Sequence, residues 1–178
     1  MKWLNRLFGG PKEMAALTAG TKAPEISLAA VDGKTFSLQG TLKQGPVLAA
    51  FFKVSCPVCQ YALPYLERLH KAYGDQKITI VGISQDDKRN TIAFLKEYGV
   101  TFPTLLDDPN GYAVSNAYGL TNVPTWFLIG QDGEIEISSV GWVKKDVEGL
   151  NRKLAETQKI SLALLFQPGE DVRDFRAG

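Results

Sequence analysis

AAFFKVSCPVC, residues 49–59, contains the only two cysteines of the chain. They lie where an apolar stretch at 47–54, predicted to be a buried β-strand, gives way to a helical pattern that begins near Pro57. Two residues three positions apart at the start of a helix lie on one face, about 5–6 Å from each other. Because the Cα atoms of a disulfide are about 4.4–6.8 Å apart, this spacing suits a reversible disulfide.

The positions of the two cysteines predict different roles. Cys56 lies nearest the unpaired N–H groups and the positive end of the helix dipole, which favour a thiolate over a thiol. Cys56 is therefore the predicted nucleophile, and Cys59, one turn along the helix, is the predicted resolving thiol.

Other uses of a cysteine pair are weighed against this dithiol chemistry. A structural zinc site needs four ligands, and the pair supplies two, with His70 the only histidine, so metal binding would need a second copy of the chain. An iron–sulfur cluster held by four cysteines is excluded within one chain. A buried, chemically inert cysteine pair remains an alternative interpretation. CxxC beside a strand–helix unit is, however, typical of a thioredoxin-like redox motif.

Composition limits the classes of function. A chain of 178 residues with 44% hydrophobic residues fits one domain with an adequate core. Twenty basic against nineteen acidic residues give a formal charge of +1, without the basic excess of a nucleic-acid-binding surface. No apolar run approaches the length of a transmembrane helix, and residues 1–10 lack the features of a signal peptide, so a cytoplasmic location is expected.

The first ten residues contain a short amphipathic pattern. Trp3, Leu4, Leu7 and Phe8 would form one apolar face of a helix. Contact with a membrane surface is one interpretation, but packing against the body of the protein is favoured for so short an element.

Pattern analysis predicts an alternation of strands and helices. The predicted strands are 26–30, 34–38, 47–54, 77–84, 102–106, 125–129 and 134–140. The predicted helices are 57–73, 88–98, 109–118 and 144–158. The Asp-Gly pairs at 32–33 and 132–133 mark two hairpins, and the strand–helix alternation from 47 to 98 predicts parallel strands in an α/β domain. The predicted organisation is a lead segment 1–19, a domain 20–158 and an extension 159–178.

Four segments together resemble the thioredoxin fold: AAFFKVSCPVC (49–59), ITIVGISQD (78–86), EYGVTFPTLLD (97–107) and YGLTNVPTWFLIGQDGEI (118–135). The resemblance is to the redoxin branch, which includes TlpA-like thiol-disulfide oxidoreductases and the alkyl hydroperoxide reductase/thiol-specific antioxidant proteins. It implies a thioredoxin fold with an N-terminal β-hairpin and a helical insertion at about 88–118.

The resemblance also implies a substrate site around the cysteines. The proline of the VPT segment, Pro124, is expected to be cis and to lie against the cysteine pair. The backbone of Val123 is expected to pair with an extended substrate, and Ser55, Pro57 and Val58 complete the predicted substrate-binding residues.

The chain departs from the resembled families in its ionisable groups. Many thioredoxins have a buried acid six residues before the first cysteine, and TlpA-like reductases often have a glutamate three after the second. This chain has Ala50 and Ala62 at those positions. Lys53 is interpreted as a surface lysine at the strand end, His70 is expected to face solvent, and Asp86 is interpreted as a loop or cap residue.

The sequence thus predicts a thiol-disulfide oxidoreductase that acts on protein or small disulfides, draws electrons from a thiol donor, and needs no cofactor or metal. The enzymatic alternative is a peroxiredoxin, although that family places Thr or Ser three residues before its reactive cysteine, where this chain has Lys53. The non-enzymatic alternative is a peptide-binding module that uses the groove beside Pro124.

Overall fold

The computed structural model describes residues 15–178, so the predicted apolar face of Trp3, Leu4, Leu7 and Phe8 lies outside the described residues. Its helices are α1 (Leu38–Leu42), α2 (Pro57–Tyr73), α3 (Lys88–Glu97), α4 (Ala113–Ala117) and α5 (Lys144–Gln158). Its strands are β1 (Ser27–Ala29), β2 (Thr35–Ser37), β3 (Val47–Phe52), β4 (Thr79–Ser84), β5 (Thr104–Leu106), β6 (Thr125–Ile129), β7 (Ile135–Val140), β8 (Trp142–Val143) and β9 (Phe175–Arg176).

The central sheet has the strand order β5-β4-β3-β6-β7. Strands β3, β4 and β5 are parallel, as the alternation predicts, and β6 and β7 are antiparallel to their neighbours. All six residues of β3 are buried, because this strand has neighbours on both edges and helices on both faces. The predicted mixed α/β class is confirmed, and α3, β5 and α4 form the predicted insertion between the two halves of the sheet.

The side chains of β3 alternate between two cores. Leu48, Ala50 and Phe52 pack with α2, α5 and Trp126 on one face. On the other face, Val47, Ala49 and Phe51 pack with α1, α4 and the hairpin residue Ile26. This period of two distributes an almost continuous apolar run between two layers.

The hairpin and the long helices lie close to their predicted bounds. Strands β1 and β2 pair antiparallel across a turn in which Gly33 has φ 86°, the left-handed region that favours glycine. Helix α2 begins at Pro57 and ends at Tyr73 as predicted, with Pro64 inside it. Strand β3 ends two residues before the predicted limit because the chain turns there, with the Cys56 N–H donating to the Lys53 carbonyl at 3.2 Å.

Helix α4 is shorter than its predicted range of 109–118. Tyr112 has φ 48°, a left-handed conformation that prevents the helix from beginning earlier. The buried Asp107 carboxylate then accepts hydrogen bonds from the Val114 and Ser115 N–H groups at 3.2 and 2.7 Å. The carboxylate that accepts from the free N–H groups at the start of α4 therefore lies well before the helix in the sequence, outside the usual N-cap position.

The prediction that His70 faces solvent is wrong. The imidazole is half-buried and lies edge-on to Phe102, with ring centroids 6.0 Å apart. Its Nδ1 atom is buried and has no hydrogen-bond partner among the residues that the structure describes. The face of α2 that holds His70 is covered by the insertion, which an amphipathic pattern alone does not reveal.

Residues 163–178, called the strap here, run back over the domain after α5. Leu165 is buried in the same core as α2, and Phe166 packs against Tyr65 with ring centroids 5.5 Å apart. The Trp142 indole N–H donates to the Arg173 carbonyl at 2.6 Å, and β9 pairs antiparallel with β8. The predicted domain boundaries stay predictions, while this part of the extension packs on the domain as an ordered segment.

An ion pair fastens the strap to the middle of α2. The Arg68 guanidinium donates to both carboxylate oxygens of Glu170 at 2.8 Å, and the Tyr65 hydroxyl donates to the same carboxylate at 3.2 Å. These bonds, with one from the Gln167 N–H, lower the pKa of Glu170 to about 2. Two parallel bonds to a charged partner are stronger and more specific than an exposed single contact.

We expect Glu170→Gln to lower the free energy of unfolding by about 1–2 kcal/mol at neutral pH, after allowance for partial solvent screening. A carboxylate whose folded-state pKa is depressed stabilises the fold above its ordinary pKa of 4.5, and this contribution is lost as pH falls toward about 2. Urea unfolding of both proteins should therefore show a difference that narrows across that interval.

Glu136→Gln is the matched control, because Glu136 pairs with Lys153 at 3.6 Å on the exposed surface, where an ion pair contributes little. A difference for Glu170→Gln that equals the control, or that stays constant down to the acid end of the interval, would contradict the assigned role of the ion pair.

Candidate active site

The two cysteines occupy the junction between β3 and α2. Cys56 is the N-cap residue of α2 and is half-buried, whereas Cys59 lies in the first turn with 0% of its surface exposed. The loop between strand and helix is fixed at Val54: its N–H donates to the Asp86 carboxylate at 2.8 Å, and its carbonyl accepts from the Gln60 side-chain amide at 2.9 Å. The position of Cys56 is thus set by both β4 and α2.

The Cys56 sulfur has a donor on one side and an acceptor on the other. It accepts a hydrogen bond from the Cys59 N–H at 3.4 Å, the N-cap interaction that a side chain at this position makes with an open helix start. It donates to the Val123 carbonyl at 3.3 Å. An N–H directed at the sulfur stabilises negative charge there, which a nucleophilic thiolate requires.

The Cys59 thiol lies in an environment that keeps it protonated. Burial raises its pKa well above the usual range for a thiol, and a hydrogen bond from the Lys53 backbone opposes this only in part. The neighbouring Cys56 and the Asp86 carboxylate raise the pKa further, because a second negative charge is unfavourable beside them. The geometry therefore separates an accessible sulfur from a shielded one.

The loop before β6 completes the site. The Val123–Pro124 peptide bond is cis, as the resemblance implies. Pro124 is buried, and its carbonyl accepts from the Gly141 N–H at 2.7 Å, which connects this loop to the turn between β7 and β8. Pairing of β6 with β3 brings the loop to the end of the sheet at which α2 begins.

The predicted substrate-binding residues lie around the Cys56 sulfur at different depths. Ser55 and Pro57 are exposed, and Val123 is half-buried beside the sulfur. Val58 points into the core, with 9% of its surface exposed. Contact of these residues with substrate stays a prediction, and for Val58 it would have to involve the backbone or the small exposed part of the side chain.

Ala50 and Ala62, which occupy the positions of the expected acids, are buried in the core, so neither position contributes an ionisable group. The structure instead brings Asp86 close enough for its charge to act on Cys59. Sequence reasoning interpreted Asp86 as a loop or cap residue and missed this proximity. The available signal was its place just after β4, because the carboxyl ends of adjacent parallel strands meet at one edge of a sheet.

A cleft of about 260 Å³ is lined in part by Val123, the residue whose carbonyl contacts the Cys56 sulfur. Its polar lining is uncharged and includes Gln85, Ser115 and Asn122. The Gln85 side chain is oriented by a hydrogen bond from its amide N–H to the Ser115 hydroxyl at 3.0 Å, and that hydroxyl donates to the Asp107 carboxylate at 2.7 Å. The cleft therefore has an amide group and a hydroxyl group in fixed positions, and Val123, which contacts the Cys56 sulfur, forms part of its wall.

Within residues 15–178, no three His, Cys, Asp or Glu side chains are grouped so that they could hold a metal ion. In the same residues, no helix is both long and apolar enough to cross a membrane. The chemistry that the described site offers is that of two thiols, one accessible and one buried, beside a cis-proline loop.

A pair of cysteines at a helix start that faces a cis-proline loop, both at one end of a five-stranded sheet of this strand order, defines the class of thioredoxin-fold dithiol proteins. Within that class, the chain belongs to the AhpC/TSA family, whose family model matches residues 19–138. The predicted thioredoxin-like redoxin resemblance is confirmed.

Two relatives of similar length are a thiol-disulfide oxidoreductase and a thioredoxin-like protein. The chain is 30% identical over 139 residues to the thiol-disulfide oxidoreductase ResA of Halalkalibacterium halodurans, a match that covers 78% of this chain and 73% of the relative. It is also 30% identical over 142 residues to the thioredoxin-like protein YneN of Bacillus subtilis, a match that covers 77% of this chain and 81% of the relative.

A solved structure confirms the fold. The thioredoxin domain of a thiol-disulfide oxidoreductase from Bacteroides vulgatus superimposes with a TM-score of 0.69 at 24% identity, and the match covers 78% of this chain and 98% of that domain. At this level of identity the likeness supports the shared fold alone.

We expect Cys56 to be alkylated rapidly by iodoacetamide in a Cys59→Ser variant, and Cys59 to react far more slowly in a Cys56→Ser variant. The reason is that the Cys59 thiol is buried and its pKa is raised, so its reactive thiolate is rare at neutral pH. Mass spectrometry of timed samples measures both rates. Equal rates in the native state, or a faster Cys59, would show that the two roles are assigned incorrectly.

Proposed function

We propose that the protein is a thiol-disulfide oxidoreductase in which Cys56 exchanges with protein or small-molecule disulfides and Cys59 completes the reaction. The observation that carries this proposal is the position of the Cys56 sulfur between the Cys59 N–H and the Val123 carbonyl, with Cys59 fully buried behind it. The family membership and the names of the relatives support the same chemistry.

The first step is attack by the Cys56 thiolate on one sulfur of the substrate disulfide. A new S–S bond forms between Cys56 and the substrate, and the other substrate sulfur leaves as a thiolate that takes a proton from water. During this step the hydrogen bond from the Cys59 N–H holds the attacking sulfur at the open end of α2.

The second step is attack by Cys59 on the Cys56 sulfur. Cys59 first gives its proton to water; the Cys56–Cys59 disulfide then forms as the Cys56–substrate bond breaks, and the remaining substrate sulfur leaves as a thiolate that takes a proton from water. Two electrons have passed from the protein to the substrate, and a separate thiol or dithiol donor returns them. Cys59 lies one helical turn from Cys56, a spacing that suits a disulfide.

Substrate binding is proposed to use the edge formed by Val123. An extended segment placed there would lie next to the Cys56 sulfur and could reach the uncharged cleft that Val123 lines in part. The cytoplasmic location stays a prediction from the sequence.

We expect the protein to accelerate reduction of insulin by dithiothreitol, and we expect Cys56→Ser to return the rate to the uncatalysed level, because the nucleophile is absent. Cys59→Ser should accumulate a mixed disulfide between Cys56 and the insulin chain, visible as a mass increase that dithiothreitol removes. Wild-type protein that consumes hydrogen peroxide rapidly but leaves insulin unreduced would favour the peroxiredoxin alternative instead.

Because the pKa of Cys59 is raised, the rate of the resolving step should depend on pH. Below that pKa the Cys59 thiolate fraction rises about tenfold per pH unit, so resolution of a preformed Cys56 mixed disulfide should quicken by about that factor per unit from neutral to mildly alkaline pH. Stopped-flow decay of a fluorescent mixed disulfide measures this rate. A profile that is flat across the same range would mean that another group removes the proton before the attack.

A further inference from the structure

The last two residues of the strap, 177 and 178, are called the strap end here, and they lie beside the loop that faces the nucleophile. The Asn122 side-chain amide donates to the Gly178 carbonyl at 2.9 Å. A Cβ atom at position 178 would lie only 2.7 Å from the Val123 carbonyl oxygen and 3.2 Å from the Gly141 Cα. Only a residue without a side chain fits there, so the strap end is in close backbone contact with the Val123 edge.

The Val123 carbonyl therefore has a close neighbour on each of two sides. The Cys56 sulfur donates to it at 3.3 Å, and Gly178 covers it on the side of the strap. An extended polypeptide that pairs with this edge needs the same carbonyl as an acceptor for its own N–H. Substrate pairing and the observed position of Gly178 therefore exclude each other.

The strap is held firmly up to β9 and lightly beyond it. Arg173 is fixed by two bonds, from the Trp142 indole to its carbonyl and from its own N–H to the Tyr61 hydroxyl at 3.0 Å. Arg176 pairs with Trp142 in the β8–β9 ladder, and its guanidinium lies 5.1 Å from the centre of the Tyr61 ring. After Arg176 the hydrogen bond to Asn122 is the one side-chain bond of the strap among the described residues.

We propose that residues 177 and 178 are a specificity element of the dithiol site. They occupy the edge on which a polypeptide would align, so small disulfides reach Cys56 directly, whereas polypeptide disulfides react only after these two residues move aside. This inference rests on the proposed function, since it assigns substrate preference to the same site. It involves a segment outside the residues that the family model matches.

The test compares the full chain with a variant that ends after Arg176 and therefore keeps β9, the Tyr61 contact and the Arg68–Glu170 ion pair. A second variant, Gly178→Val, keeps the chain length but places a side chain where it collides with the Val123 carbonyl, so it should also displace the strap end. Leu164→Ala is the control, because this strap residue is 66% exposed and lies outside the site.

Pre-reduced proteins are mixed in single turnovers with insulin and, separately, with hydroxyethyl disulfide, and the two second-order rate constants are measured. We expect the insulin rate constant to rise about 2- to 10-fold in both strap-end variants, the range that the net contribution of one hydrogen bond allows. The rate constant for hydroxyethyl disulfide should stay unchanged, and Leu164→Ala should leave both unchanged.

An equal change for both substrates, or no change for insulin, would overturn the inference and leave residues 177 and 178 as a structural brace, while the proposed function stands on the retained reduction of hydroxyethyl disulfide. If the full chain reduces neither substrate, the proposed function itself fails, and the specificity element falls with it. Thermal unfolding of each variant separates a loss of folded protein from a change in substrate preference.

Discussion

The hydrogen bond from the Cys56 sulfur to the Val123 carbonyl, at 3.3 Å, joins two segments that are 67 residues apart in the sequence. It can form only because β3 and β6 are neighbours in the sheet, so that the strand leading to the cysteines and the strand leaving the proline loop meet at one end. The buried alternation of β3 keeps that pairing in register by filling a separate core on each face. The fold thus delivers a reactive sulfur to the backbone of the cis-proline loop.

Local pattern was sufficient to predict the elements that build this junction. The apolar run before the cysteines, the Asp-Gly turns and the amphipathic stretch of α2 each specify structure over short distances, and the structure places them close to the predicted bounds. The interactions that were missed depend on distant residues. Asp86 approaches Cys59 through strand pairing, the partial burial of His70 depends on the insertion, and the start of α4 depends on Asp107 together with a left-handed Tyr112.

Burial, backbone N–H groups and the Asp86 carboxylate determine where negative charge is favourable in the site. Ala50 and Ala62 fill the positions where the resembled families often have acids, so the core around Cys59 is apolar and its thiol stays protonated. Asp86 holds the Val54 N–H and is thereby kept at a fixed distance from the dithiol. This arrangement keeps the buried Cys59 thiol protonated behind the more accessible Cys56 sulfur, and this orders the two steps of exchange: attack by Cys56 first, resolution by Cys59 second.

The indole of Trp142 lies between the dithiol helix and the strap. It is edge-on to Tyr61, two residues after Cys59, with ring centroids 5.1 Å apart, and its N–H donates to the Arg173 carbonyl. Indole emission responds to the loss of a hydrogen bond and to the entry of water, so Trp142 is an intrinsic fluorescent probe at the boundary between the two. A displacement of the strap that reaches Arg173 can therefore be followed by tryptophan emission in the unlabelled protein, as the part of the signal that a Trp142→Phe variant loses.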